Sequence, residues 1–121
     1  MRSKFLNHLK TEELPSGEFR LIEPLIYHSE YLQKRITVPA GFITNFMSVP
    51  RWPLIYAWLG DKYRRAGALH DYLYQSRLVT RWQADAELCD AMEVLGASDL
   101  EILACWAAVR IAGGSRHGKN D

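Results

Sequence analysis

The residues best suited to chemistry form a short run, His70-Asp71-Tyr72-Leu73-Tyr74, followed later by a second acid, Asp85. A carboxylate that fixes an imidazole ring produces a general base able to take a proton from water. If Asp85 orients His70, then Asp71 points about 100° away on the same helix and is available for a cation or a cap. The same pair also fits a structural role, because a buried acid needs a polar partner and His70 is one.

Two predicted helices would bring these side chains together. The first helix runs from Asp61, which can cap it, to about Gln75, and its apolar spacing turns His70 inward. The second helix opens at Thr80 with a capping box. Its predicted inward stripe is Trp82, Asp85, Cys89 and Met92. Antiparallel packing of the two helices would then place His70 opposite Asp85.

The remaining elements complete an α+β prediction. A second capping box at 98–101 starts a third helix, which runs from Leu100 to about Ala112 and is apolar on nearly all sides. In the first half, polar and apolar residues alternate over 18–22, 25–28 and 35–38, and the segment 39–50 has β-branched and aromatic residues between prolines, typical of a strand followed by a constrained loop. These patterns predict two to four short antiparallel strands. The expected fold is therefore short strands in the N-terminal half and three helices in the C-terminal half.

Length and charge limit the classes of function. A chain of 121 residues suits one domain, 1–121, for which we expect polar tails at 1–10 and 115–121. Fifteen Lys and Arg against fourteen Asp and Glu give a charge of +1, and no basic block exceeds Arg64-Arg65. A binder of the phosphate backbone would carry a basic patch, so the sequence argues against nucleic acid as a partner.

Compartment signals point to synthesis in the cytoplasm. The first ten residues are too polar for a signal-peptide core, and no run approaches the ~20 apolar residues of a membrane span. Cys89 and Cys105 lie in apolar stretches without a metal-type cluster, which predicts reduced core residues.

The run HDxxY followed by an acid on the next helix resembles the catalytic core of secreted and viral phospholipases A2. The resemblance implies that His70 activates water, Asp85 orients it, Tyr74 supports the pair and Asp71 holds calcium. The calcium loop of that family is Gly-rich, whereas the equivalent stretch here, 61–65, is basic. A metal phosphohydrolase of the HD type is a further alternative, in which His28 would be the additional ligand.

A second resemblance covers about 75 residues in four blocks. The blocks are 38–50 (VPAGFITNFMSVP), 66–74 (AGALHDYLY), the pairs at 84–85 and 91–92, and 107–110 (AAVR). Together they resemble a small family of unknown function from tailed phages and prophages. This family usually has Asp where the present chain has Asn45, and the amide favours a turn-forming role over metal binding at that position.

Two hypotheses follow from these resemblances. The first is a structural protein of a tailed-phage virion, associated with the tail tip or baseplate, which packs against other tail or baseplate proteins and could form a homo-oligomer within a symmetric assembly. Exposed aromatic residues at 52, 56 and 58 would suit such docking. This hypothesis requires no cofactor.

The alternative is a small hydrolase for phage entry or lysis, phospholipase A2-like or directed at the cell wall. His70, Asp85 and Tyr74 would be its catalytic residues, and Asp71 would be its ligand for Ca²⁺ or Zn²⁺. An active site should line an open, wet cleft. A structural pair should be covered, with every polar atom bonded.

Overall fold

In the computed structural model, which describes residues 2–44 and 63–112, six short strands precede three helices. The strands are β1 (Lys4–Phe5), β2 (Thr11–Glu13), β3 (Phe19–Leu21), β4 (Leu25–Ser29), β5 (Lys34–Val38) and β6 (Ile43–Thr44). They form two three-stranded antiparallel sheets, with orders β1-β4-β5 and β2-β3-β6. The α+β class predicted from the sequence is confirmed.

The hairpin of β4 and β5 is the longest paired segment of the first sheet. Its register runs from Leu25 opposite Val38 to Ser29 opposite Lys34, and Gln33 makes the turn with φ of 53°. Because side chains alternate along a strand, β4 buries Leu25, Tyr27 and Ser29 on one face. This face is where the sheet meets the helices.

The described residues contain six strands, and two of them, β1 and β2, were not predicted from the sequence, whereas β6 lies in the predicted strand segment at 39–50. β1, β2 and β6 have only two or three residues, which is too few to show an alternating pattern. They form because neighbouring strands supply partners: β4 pairs with β1, and β3 pairs with β2 and β6. Part of the predicted tail at 1–10 therefore belongs to the first sheet.

The helices are α1 (Arg64–Ser76), α2 (Arg81–Val94) and α3 (Asp99–Ala112). The predicted cap of α1 at Asp61 is wrong, because the N-cap is Tyr63, which makes no side-chain cap bond. Helix α1 ends at Arg77, whose left-handed φ of 55° lets its N–H bond to the carbonyl of Leu73.

Both predicted capping boxes are present. Before α2, the Thr80 hydroxyl accepts from the N–H of Gln83 at 3.1 Å, and the Gln83 side chain accepts from the N–H of Thr80 at 3.0 Å. Before α3, Ser98 and Glu101 exchange the same two bonds, at 3.2 and 3.0 Å. These bonds satisfy N–H groups that a helix start leaves open.

The core lies where α1 packs against α2 and against strands of both sheets. The predicted inward stripe of α2 is correct for Asp85 and Met92, which are fully buried, but wrong for Trp82, which is 52% exposed. Trp82 packs edge-to-face on Trp106, with ring centroids 6.1 Å apart. Trp82 therefore packs against Trp106 at the surface, although the helical period placed it in the core.

Both cysteines are free thiols, as the sequence indicated. Burial raises the pKa of Cys89 to about 11 and that of Cys105 to about 12.

Several sequence predictions lie outside the described residues. They are the turn-forming role of Asn45, the docking role of Trp52, Tyr56 and Trp58, and the polar tail at 115–121. Among the helices that the structure does describe, none is long and apolar enough to cross a membrane.

Candidate active site

His70 lies in the middle of α1, on the face that packs against α2. Its Nε2 is 2.8 Å from Oδ1 of Asp85, and both side chains are fully buried. Because an ionised carboxylate can only accept, Nε2 carries a proton and donates a hydrogen bond to Asp85. The pairing expected from helical spacing is therefore present.

Asp85 accepts hydrogen bonds from two further side chains. The Tyr74 hydroxyl donates to Oδ1 at 2.6 Å, and Nη1 of Arg110 donates to Oδ2 at 2.9 Å. Burial by itself raises the pKa of Asp85, but the bonds from His70 and Tyr74 outweigh it, and the pKa is lowered from its ordinary value. Asp85 is thus a buried, ionised carboxylate held by donors from α1 and α3.

Tyr74 also contacts the imidazole directly. It follows His70 by one helical turn, and the two ring centroids are 4.3 Å apart. Burial, and then the hydrogen bond to the Asp85 carboxylate, raises the pKa of Tyr74 above its ordinary value. The phenol therefore remains a donor and holds both the ring and the acid in place.

Nδ1 of His70 is the unusual atom of the site. It is buried and has no hydrogen-bond partner among the residues that the structure describes. With the proton on Nε2, this nitrogen keeps a free lone pair. An oriented imidazole with one free nitrogen is the arrangement of a general base, and buried polar atoms of proteins are otherwise almost always paired.

Asp71 points to a different neighbour. Its Oδ2 accepts from the Thr44 hydroxyl of β6 at 2.7 Å, and its Oδ1 accepts from the Gln75 amide at 3.2 Å. Asp71 is 5% exposed. Within 2–44 and 63–112, no group of three or more His, Cys, Asp or Glu side chains could hold a metal ion. The metal-ligand role of Asp71 stays a prediction.

Residues 19–109 match a family described as a protein of unknown function, DUF1353. The chain belongs to this family. No curated protein and no solved structure matches the chain. The DUF1353 match begins in β3 and ends in α3, so it includes His70, Asp71, Tyr74 and Asp85.

Two arginines of the site were missed by the sequence analysis. Arg110, one residue beyond the DUF1353 match, binds Asp85 and also lies over the Trp82 ring at 5.0 Å. Arg81, which is 7% exposed, donates to the carbonyl of Val109 at 2.9 Å and to that of Arg110. An arginine in the first turn of α2 is an ordinary surface residue by pattern, so only the tertiary contact reveals it.

A second buried acid lies on the other side of α2. Glu87 is fully buried and accepts one bond, from the Ser29 hydroxyl at 2.8 Å, while its Oε2 has no partner among the described residues. Burial raises the pKa of Glu87 to about 7. Nearby, Asp90 accepts from the Tyr27 hydroxyl at 2.5 Å.

Proposed function

We propose that this DUF1353 protein is a small hydrolase in which His70 is the general base. One observation carries the proposal: Asp85 fixes the ring through Nε2, and Nδ1 retains a lone pair with no partner in the described part of the chain. The phage resemblance supplies the substrate class, an ester or amide of the bacterial envelope encountered during entry or lysis.

The chemistry balances with these residues alone. Nδ1 takes a proton from water as the water oxygen attacks the acyl carbon, and the charge on the imidazolium is balanced by Asp85. The acyl–oxygen or acyl–nitrogen bond then breaks, and Nδ1 returns its proton to the leaving alcohol or amine. Tyr74 and Arg110 position Asp85 throughout, through their bonds to its two oxygens.

The proposed mechanism is written without calcium. The phospholipase resemblance would place the ion on Asp71, but the Asp71 oxygens accept from Thr44 and Gln75. The described residues supply no three-ligand group beside them. A carboxylate so engaged does not supply the oxygen cage that Ca²⁺ needs.

Burial sets a condition on activity. His70 and Asp85 have no exposed surface, so the pair does not line the open cleft that the sequence analysis expected of an active site. A substrate therefore reaches Nδ1 only when the side chains covering it move aside. We therefore expect slow turnover by the isolated chain and faster turnover on an aggregated substrate, such as a vesicle, that can displace them.

The test is hydrolysis of phospholipid vesicles and of purified peptidoglycan, each with Ca²⁺, Zn²⁺ or EDTA, with products identified by mass spectrometry. The key variant is His70→Gln, whose amide keeps a donor for Asp85 but offers no base. His8→Gln, at an exposed histidine, is the matched control. We expect products from wild type and His8→Gln only. No product from wild type in any condition, or full activity in folded His70→Gln, would overturn the proposal.

A second candidate function has its own supporting observation. Donors from two neighbouring helices meet on the Asp85 carboxylate, and the pair has no exposed surface, which suits a lock between helices. In this proposal the chain, made in the host cytoplasm, is a structural component of a phage tail tip or baseplate. Mass spectrometry of purified particles should find it at fixed stoichiometry, and its absence would remove this candidate.

A further inference from the structure

Arg81 is a buried arginine whose side chain reaches both neighbouring helices. It occupies the first position of α2 and is 7% exposed. Arginine is almost never buried without partners, and its planar guanidinium carries five N–H donors that need them. The partners of Arg81 therefore show what it does, and they lie around the Asp85 carboxylate.

Towards α3, the guanidinium binds the end of the helix that carries Arg110. Nη2 of Arg81 donates to the carbonyl of Val109 at 2.9 Å and to the carbonyl of Arg110. Both carbonyls belong to the last four of α3, which a helix leaves without partners of its own. Arg81 thus caps this end with a charge of the sign that the helix dipole favours there. Nη1 of Arg110 donates to Oδ2 of Asp85 from the turn that Arg81 holds.

Towards α1, Arg81 acts on the Tyr74 hydroxyl. Burial and the hydrogen bond to the Asp85 carboxylate raise the pKa of this phenol, and a hydrogen bond from Arg81 and its positive charge act in the opposite direction. The phenol oxygen can accept from the guanidinium while its own proton goes to Oδ1 of Asp85 at 2.6 Å. Arg81 therefore fixes the hydroxyl in the orientation that makes it a donor to Asp85.

Arg81 precedes Asp85 by one helical turn, so both side chains leave the same face of α2. Two donors to Asp85 stand beside the imidazole, the Tyr74 hydroxyl and the Arg110 guanidinium. Arg81 fixes the first directly and the second through its helix turn. We propose that Arg81 is a positioning residue for Asp85, on which it acts through these two donors. The inference rests on the proposed function, because positioning has a catalytic meaning only where His70 is the base.

The role requires an arginine and not merely a cation. The carbonyls that Arg81 binds belong to α3, whereas the hydroxyl belongs to α1. A planar fork serves such partners with separate N–H groups, whereas the ammonium group of a lysine is a point charge on a flexible stem. Arg81→Lys keeps the charge and loses the fork, so it separates the geometric part of the role from the electrostatic part.

The first test is the titration of Asp85 in the full chain, followed by NMR of its side-chain carboxyl carbon. Burial raises this pKa in wild type, but the bonds to the carboxylate outweigh it and leave the pKa lowered. We expect the pKa to rise by about one unit in Arg81→Met, which removes every N–H donor, and to rise less in Arg81→Lys. Arg35→Met, at an exposed arginine of β5, is the matched control and should leave it unchanged.

A helix clamp without a positioning role would lower the free energy of unfolding and leave the Asp85 titration where it is. An unchanged Asp85 pKa in folded Arg81→Met would therefore overturn the proposal. If Arg81→Met does not fold, Arg81→Lys gives the same reading, and an Asp85 pKa equal to that of wild type would overturn the proposal equally.

Hydrolysis of phospholipid vesicles gives a second reading, which separates this inference from the proposed function. In Arg81→Met we expect kcat to fall by about tenfold, the equivalent of one pKa unit, with KM little changed. Arg81→Lys should recover part of the loss. Normal kcat in Arg81→Met beside an active wild type would overturn the positioning role alone. No turnover by wild type would overturn the proposed function, whatever the titration of Asp85 shows.

Discussion

Asp85 and Glu87 are two fully buried carboxylates on one helix, and they differ in almost every other respect. They project from α2 about 200° apart, Asp85 towards α1 and α3 and Glu87 towards the first sheet. Asp85 accepts bonds from His70, Tyr74 and Arg110, and its pKa is lowered. Glu87 accepts one hydrogen bond from the described residues, that of Ser29, and burial raises its pKa to about 7.

The comparison shows what determines the charge of a buried acid. Burial opposes ionisation in both residues, because a charge loses its water on entering the core. Three donors more than replace that water at Asp85, whereas a single hydroxyl does not replace it at Glu87. The number of donors that a fold brings to a carboxylate, and not its depth, therefore decides whether it is available as an anion for orienting a base.

Neutralising each acid in turn should give the largest difference in the free energy of unfolding. Asp85→Asn leaves Arg110 facing a weaker acceptor and presents an amide to donors, so we expect the free energy of unfolding to fall by about 4 kcal/mol. Glu87→Gln, a change of the same kind, should have little effect at pH 5. Urea unfolding of both variants measures this, and equal losses would contradict the comparison.

The pH dependence of stability should reverse between the two acids. For Glu87 the pKa rises from 4.5 unfolded to about 7 folded, so its stabilisation is complete below pH 4.5 and is lost as the pH rises to about 7. The loss amounts to about 3 kcal/mol. Unfolding from pH 4 to 8 should show this decline in wild type and not in Glu87→Gln; an identical decline in both would assign it elsewhere.

The same pH series should show the opposite dependence of stability for Asp85. Its folded pKa is lowered, so its contribution is present above the unfolded pKa and is lost as the pH falls through the folded value. Wild type should therefore lose stability in strong acid, and Asp85→Asn should not show this acid-dependent loss.

Removing one of the three donors to Asp85 should have an intermediate effect on the free energy of unfolding. Tyr74→Phe keeps the ring against His70 but deletes its bond to Asp85, which should lower the free energy of unfolding by about 2 kcal/mol. The pKa of Asp85 should rise, so the loss of stability on acidification should begin at a higher pH than in wild type. Tyr31→Phe, at a residue that is 53% exposed, serves as control. If this loss began at the same pH as in wild type, Tyr74 would not stabilise the ionised form of Asp85.

The smallest change in stability concerns Ser29, whose hydroxyl is the one bonded to Glu87 within residues 2–44 and 63–112. Ser29→Ala should lower the free energy of unfolding by about 1 kcal/mol at neutral pH, where the lost donor matters to the ionised form. The midpoint of the neutral-pH decline should shift upward, because the pKa of Glu87 rises further. A downward shift would mean that Ser29 stabilises the protonated acid instead.

Local features of the fold were predictable from the sequence. The capping boxes at Thr80 and Ser98 depend on residues three positions apart, and both formed as predicted. The pairing of His70 with Asp85 required only helical periodicity and a short connection. Each of these inferences uses neighbours in sequence, where spacing fixes geometry.

Long-range partners were not predictable in the same way. The bond from Ser29 to Glu87 joins residues 58 apart, and that from Arg110 to Asp85 joins residues 25 apart. Periodicity places a side chain on a face but does not say which element covers that face. Trp82 shows the same limit, since its position in the helical repeat matches the core while Trp106 holds it at the surface.

Arg81 has a consequence for the local dynamics of the C-terminal half. Its guanidinium binds the carbonyls of Val109 and Arg110 from the first turn of α2. The last turn of α3 therefore cannot fray without releasing the first turn of α2, and the two ends form one cooperative opening unit. Arg110 lies in that unit, so slow hydrogen exchange there would report how long the Asp85 carboxylate keeps its third donor.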